Sequence, residues 1–319
     1  MWPTLYEIQL PQGGTIGLHT YGLMILVAFS VAFSLIHQRS RQVGIHPDRL
    51  VGVYIAAAFG GILGARLLYA IAVEPQRILA DPSALFSLGG LAYYGGVIGG
   101  AIAVLAVGAW MRIPGWKFAD IAAPALVLGQ GIGRMGCFFA GCCHGAAAPA
   151  VSGAAALLPD GLLLGQIYLG SSFPYLTTEF HPGGVTRAEL MNVPLYPTQL
   201  WAVAGGLGLA ALLALMWRHR RFDGQIAATM LILQPLYRIA IEIFRADNRG
   251  YALAWETSSE WALYLPGIAQ AGAQLQSGGA AVQVGVTTSQ GIGLVMIVVG
   301  AALYVFRWRA GVGEEIPVD

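Results

Sequence analysis

The chain has 319 residues, of which 56% are hydrophobic and 10% charged, and its formal net charge is +1. A mean hydropathy of +0.65 leaves too little polar surface to cover a soluble globule of this size, so a water-soluble domain is excluded. The near-zero charge gives no footing for nucleic acid, and what matters is where the few charges sit.

A membrane-crossing helix needs about 20 apolar residues. Seven segments approach that, at about 18–37, 49–73, 87–112, 118–140, 197–217, 225–244 and 290–308. The expected fold is therefore all-α, a polytopic membrane bundle of about seven helices forming one integral-membrane domain over residues 1–319. No basic stretch precedes the first apolar segment, Arg39 being the first basic residue, so the first span is expected to be retained rather than cleaved.

Orientation follows from the basic residues between spans, because cytoplasmic loops hold an excess of Lys and Arg. Ten lie on one side: Arg39, Arg41, Arg49, Arg112, Lys117, Arg218, Arg220, Arg221, Arg307 and Arg309. Four lie on the other: Arg77, Arg187, Arg245 and Arg249. This asymmetry predicts an extracytoplasmic N-terminus and a cytoplasmic C-terminus.

Two long connections fall on the outer side. Residues 141–196, rich in Gly, Pro, Ser and aromatics as in "GSSFPYLTTEFHPGG", read as a small extracytoplasmic lid. Residues 246–289 form a second extracytoplasmic loop, with the low-complexity centre "AQAGAQLQSGGAAVQ".

The remaining basic residues, Arg66, Arg134 and Arg238, lie inside spans. An arginine near the middle of a membrane helix costs roughly 2.5–3.5 kcal/mol on insertion scales, so such residues face a cavity or a partner. At about 1.5 Å per residue they rise roughly 25, 24 and 20 Å from the cytoplasmic ends, in the outer half of a core about 30 Å thick. Tyr21 in "HTYGLM" and Tyr94 in "GGLAYYGGVIGG" start their spans at the same level. In "RIAIEIFR", Arg238, Glu242 and Arg245 are spaced to share one helix face, where Glu242 can neutralise and orient both arginines. Several arginines against one deep carboxylate leave positive charge over, which suits a phosphate. A buried ion pair that only locks two helices together is the plainer alternative.

"GRMGCFFAGCCHG" crowds Arg134, Cys137, Cys142, Cys143 and His144 together. The thiols and histidine lack the paired spacing of a zinc site, so no metal is expected; a disulfide or small polarizable packing at a helix end also fits them. Glycines 60, 64, 96 and 100 read as close helix packing, whereas "GQGIGRMG" and "GGLAYYGG" also leave room for a lipid headgroup near the backbone.

"TYGLM", "GARLLY", "GGLAYYGG", "GRMGCFFAGCCHG", "YPTQL" and "RIAIEIFR" occur in the order found in bacterial prolipoprotein diacylglyceryl transferases. The chain resembles that family over roughly residues 18–250 and again near "TTSQ" at 287–290. The resemblance implies an inner-membrane enzyme without cofactor that moves the diacylglyceryl group of phosphatidylglycerol onto the lipobox cysteine of a prolipoprotein signal peptide. A thioether forms and glycerol 1-phosphate leaves. By motif position the family's two arginines fall on Arg134 and Arg238, its span-one tyrosine on Tyr21 and its span-six glutamate on Glu242.

The chain departs from the common pattern at several positions. Tyr94 stands where a histidine proposed as the base is frequent, Cys137 and Cys142 stand where Asn and Glu are common, and Ala202 replaces a glutamate. About thirty residues after "DNRG" read as an insertion, near 251–282. The expected catalytic set is Arg134, Arg238, Tyr94, Glu242 and His144. The expected phosphatidylglycerol contacts are Tyr21, Arg66, Arg134, Gly95, Gly96, Gly133 and Arg245. A tyrosine, ordinarily titrating near 10, is a poor base at neutral pH, whereas a histidine has the right intrinsic range. The partners expected are phosphatidylglycerol, the signal peptide and membrane lipids, with no nucleic acid and a monomeric chain. An anion or lipid transporter, or a non-catalytic lipid-binding paralogue, is the competing reading; a transporter needs a polar route to both faces, and the inner halves of these spans are almost uniformly apolar.

Overall fold

The computed structural model describes residues 4–10, 14–73, 92–143, 145, 197–245, 251–257 and 282–311. Helices form where the apolar runs are unbroken, because a lipid-facing segment must satisfy its own backbone N–H and C=O groups. They are α1 (Thr20–Ser40), α2 (Pro47–Val73), α3 (Tyr93–Trp110), α4 (Gly115–Ala140), α5 (Thr198–Met216), α6 (Gln225–Glu242) and α7 (Thr288–Gly311). All seven expected helices are present, and the fold is an all-α polytopic bundle.

α1, α2, α4, α5 and α7 are long and apolar enough to cross a membrane, and the apolar stretch of α3, Gly95–Trp110, is shorter. α6 carries Gln225, Thr229, Gln234, Tyr237, Arg238 and Glu242, a load of polar groups that lipid would not tolerate on an exposed helix. Exposed Phe59, Ile62, Leu105, Leu215, Val298 and Phe306 give the helices the apolar outer surface that acyl chains require.

No strands are expected from the sequence, yet the described residues include two antiparallel ribbons: β1 (Thr4–Leu10) with β2 (Gly14–His19), and β3 (Tyr251–Thr257) with β4 (Val282–Thr287). The first leads into α1 and the second, drawn from the 246–289 connection, leads into α7. Of the expected lid at 141–196, all but residues 141–143 and 145 lie outside the described residues.

The chain divides into two compact units. One, Phe33–Ala122, is built on the pairing of α2 with α3. Gly60 and Gly64 of α2 face Gly95 and Gly99 of α3 so closely that a Cβ on Gly64 would overlap the Gly95 carbonyl oxygen. Small residues permit this approach, and packing contacts rather than a solvent effect hold such pairs together in lipid. The Ala92 N–H donates to the Ala65 carbonyl at 2.9 Å, fixing the entry to α3 on the side of α2.

The other unit, Met1–Ala32 with Ala123–Asp319, has α4 against three neighbours. Gly129, Gly133 and Gly136 of α4 admit Ala28, Ile25 and Tyr21 of α1, and Gly131 meets Gly206 of α5. The Gln130 side chain reaches α6 through Gln234 and Tyr237. α7 closes on α6 where Gly293 faces Pro235 and Ile239, and Gly300 faces Leu231 and Ile232.

Candidate active site

The site is built in the second of these units, where α4 and α6 run side by side. Gln234 Nε2 donates to Gln130 Oε1 at 3.2 Å, and the Tyr237 hydroxyl donates to the same oxygen at 3.3 Å. Fifteen residues beyond Gln130, Gly145 pairs with Arg245 in an isolated antiparallel bridge. The two contacts, one within the helices and one beyond both their ends, follow the same chain order, so α4 and α6 run in the same sense. Arg134 and Arg238 each lie four residues beyond the bridged glutamines, so helical periodicity sets them one turn higher on the same two faces. The glutamine layer thus forms a hydrogen-bonded floor under the arginine layer.

Glu242 is 2% exposed and lies next to two guanidinium groups. Its Oε2 is 2.9 Å from Arg238 Nη2, one turn down the same face, and 3.8 Å from Nε of the buried Arg245. Guanidinium groups are planar and always charged, and a carboxylate held between two of them fixes both in direction. Among the described residues of the site, Arg134, Arg238 and Arg245 carry three positive charges against the negative charge of Glu242. That surplus is the electrostatic character of the site.

The end of α4 shapes the rest. Gly141 has φ +72°, its N–H bonds to the Phe138 carbonyl, and the Cys142 N–H bonds to the Cys137 carbonyl. This is the double bond pattern that ends a helix with a left-handed glycine, and it turns the residue after that glycine back onto the last turn. An apolar pair commonly meets across such a turn; here Cys137 and Cys142 meet instead. Cys143 follows with φ +60°, an uncommon conformation for a residue with a Cβ. α5 holds it there, because Thr198 Oγ1 donates to the Cys143 carbonyl at 3.1 Å and Gln199 Nε2 to the Cys142 carbonyl at 2.7 Å. The three sulfur atoms lie within 4.8 Å of one another. Hydrogen bonds from Cys137 and Cys142 draw the Cys143 thiol well below the ordinary thiol range; burial opposes this, and Arg245 and Arg134 reinforce it. Cys142 is pushed the other way by its hydrogen bonds with Cys137 and Cys143 and by burial, and stays a thiol.

Tyr21 enters from α1. It packs on α4 at Gly136, where a Cβ would stand 3.2 Å from its ring, and it lies within electrostatic range of Arg134 and all three cysteines. Among the expected site residues, the structure therefore gathers Tyr21, Gly133, Arg134, Arg238, Glu242 and Arg245 in one unit. Gly133 faces Ile25 of α1. Arg66, Gly95 and Gly96 belong to the other unit. There Arg66 is buried with its guanidinium 5.6 Å from the Tyr69 ring centroid, and Gly95 and Gly96 pack against Gly64, Gly61 and Ala65. Tyr94 lies in the first turn of α3, and His144 lies outside the described residues.

Sequence reasoning missed Gln130, Gln234, Tyr237, Thr198 and Gln199. The signal was present: "QGIGR" and "QPLYR" put a glutamine four residues before each arginine, the same spacing on two helices.

The sequence model of the family described as "Prolipoprotein diacylglyceryl transferase" matches residues 9–306. A relative from Clostridium tetani, named phosphatidylglycerol–prolipoprotein diacylglyceryl transferase, is 31% identical over 83% of this chain and 93% of its own length. A relative from Clostridium perfringens is 29% identical over 78% of this chain and 87% of its own, and one from Escherichia coli 29% over 79% and 84%. The match extends across the span-one tyrosine, the α4 signature and the arginine–glutamate face of α6, and the chain belongs to the prolipoprotein diacylglyceryl transferase family.

Proposed function

We propose that this protein transfers the diacylglyceryl group of phosphatidylglycerol to the lipobox cysteine thiol of prolipoproteins. The observation that carries the reading is the arginine layer of α4 and α6 above its glutamine floor, with Glu242 joined to Arg238 and Arg245. A phosphodiester headgroup is the ligand that such a surplus suits, because the guanidinium fork matches two phosphate oxygens.

Arg134 and Arg238 hold the phosphate, Glu242 sets the direction of Arg238 and Arg245, and Tyr21 offers its hydroxyl to the headgroup. The acceptor thiolate attacks the glyceryl carbon. The carbon–sulfur bond forms as the carbon–oxygen bond to phosphate breaks, and that electron pair leaves with glycerol 1-phosphate. Arginines preorganised around the phosphate stabilise the charge that gathers on the leaving group. The same positive field lowers the cost of the acceptor thiolate, since an unperturbed thiol near 8.5 is mostly protonated at neutral pH. Tyr94 and His144 are the candidates for taking the thiol proton, and His144 has the better matched intrinsic range.

The chain acts as a monomer in the bacterial inner membrane, with its N-terminus and the 141–196 and 246–289 connections outside and its C-terminus in the cytoplasm. The basic-residue asymmetry supports this orientation. It also puts the start of α1, the end of α4, the start of α5 and the end of α6 at the level where exported substrates arrive. The test is direct. Purified chain in vesicles containing phosphatidylglycerol adds one diacylglyceryl mass to a lipobox peptide and releases glycerol 1-phosphate in equal amount; a peptide of unchanged mass overturns the reading.

A further inference from the structure

The reaction above uses the acceptor's own thiol and leaves three enzyme thiols without a role. Cys137, Cys142 and Cys143 come from the last turn of one helix and the two residues after its left-handed glycine, and their sulfur atoms lie within 4.8 Å of one another. None of the three is in a disulfide. We propose that these three cysteines form a binding site for one soft, thiophilic metal ion of low coordination number, with Cu(I) as the type.

Three sulfurs bound at about 2.3 Å to one ion in a plane stand about 4.0 Å apart, so the present spacing needs only a small contraction. The backbone is already fixed for it. The Cys142 N–H to Cys137 carbonyl bond sets the first pair, and Thr198 and Gln199 hold the Cys142 and Cys143 carbonyls from α5. The left-handed backbone at Cys143 is a conformation that costs energy and that the α5 contacts maintain. A cluster held in this way loses little further freedom when it closes on an ion.

The donor set selects the ion. Thiolates prefer soft cations, and among the described residues no further His, Cys, Asp or Glu joins the group. Closed zinc sites take four ligands, whereas three thiolates alone suit a soft monovalent ion. Binding displaces into solvent the protons that the thiols still hold and changes no oxidation state. Arg134 and Arg245 stand within electrostatic range of the cluster and offset the negative charge of a three-thiolate complex. This inference concerns metal binding and does not rest on the transferase reading.

The test uses the full chain, reduced and purified in detergent under anaerobic conditions, titrated with Cu(I) against a chromophoric Cu(I) chelator. The expected result is one Cu(I) per chain withheld from the chelator, falling at least tenfold in affinity in Cys137→Ser and in Cys143→Ser. X-ray absorption of the wild-type copper complex is expected to give a first shell of three sulfur atoms, a result independent of whether the variants fold. Failure of the wild-type chain to withhold copper, equal retention by folded serine variants, or a first shell of nitrogen and oxygen overturns the proposal. So does a chain isolated from the membrane with one titratable thiol instead of three, which would make the cluster a disulfide.

Discussion

Glu242 is the residue on which most of the site's geometry depends. It is nearly fully buried, and it touches Arg238 one turn before it and Arg245 three residues after it. Removing its charge while keeping its shape leaves two guanidinium groups in a low-dielectric setting without their carboxylate. Breaking a buried ion pair from one side costs about 3–5 kcal/mol, because the partner charge stays behind. Glu242→Gln is therefore expected to lower the thermal midpoint of the detergent-solubilised chain and to reduce transfer by at least a hundredfold; a variant with wild-type melting and rate would show that Glu242 orients nothing. The Arg238–Glu242 pair was legible in the sequence because i, i+4 spacing is a helix property, whereas Arg245 reaches Glu242 from beyond the end of α6, in its bridge with Gly145. The depth of the pair could be estimated because arginines are rare in spans. The sharing of Gln130 between Gln234 and Tyr237 was less accessible, since a contact between helices more than a hundred residues apart follows from tertiary packing. The expectation for Arg66 rested on depth alone; the structure shows it buried beside Tyr69 in the unit built on α2 and α3.

At the scale of elements, the seven helices were readable from apolar run length, since lipid leaves the backbone few other options. The two ribbons were not. β1 and β2 flank the sequence "PQG", but Tyr6 and Leu18 are exposed, so the pattern of one buried and one wet face that marks a strand is weak. The glycines show the reverse case, because "GGILGA" and "GGVIGG" permit either a lipid headgroup or a helix to approach. The structure gives Gly64 and Gly95 to helix packing, where neither backbone has space for a Cβ. Gly64→Val is expected to destabilise the α2–α3 pair by about 1–3 kcal/mol, the usual cost of overpacking. The check is the thermal midpoint of the variant, set beside Gly108→Val, where no atom stands within 4 Å of an added Cβ. Equal midpoints for the two variants would contradict close packing at Gly64.

For the whole molecule, the proposed reaction requires that the ends of α4 and α6 lie on the outer side with the start of α1. Single cysteines placed at Gln38 and Ser289, in a chain lacking its own three, should differ in reaction with a membrane-impermeant thiol reagent applied to intact cells: Ser289 is labelled and Gln38 is protected. The opposite pattern would invert the orientation. The central claim is that Arg134 and Arg238 act as forked phosphate holders and not merely as positive charges, and lysine substitution separates the two because it keeps charge while removing the fork. The most direct measurement is complementation of a transferase-depleted bacterium, with the mass of its lipoproteins as the readout. The wild-type chain is expected to restore diacylglyceryl addition, while Arg134→Lys and Arg238→Lys, present in the membrane at the same level, leave the lipoproteins unmodified. Full lipidation by either lysine variant would contradict the account.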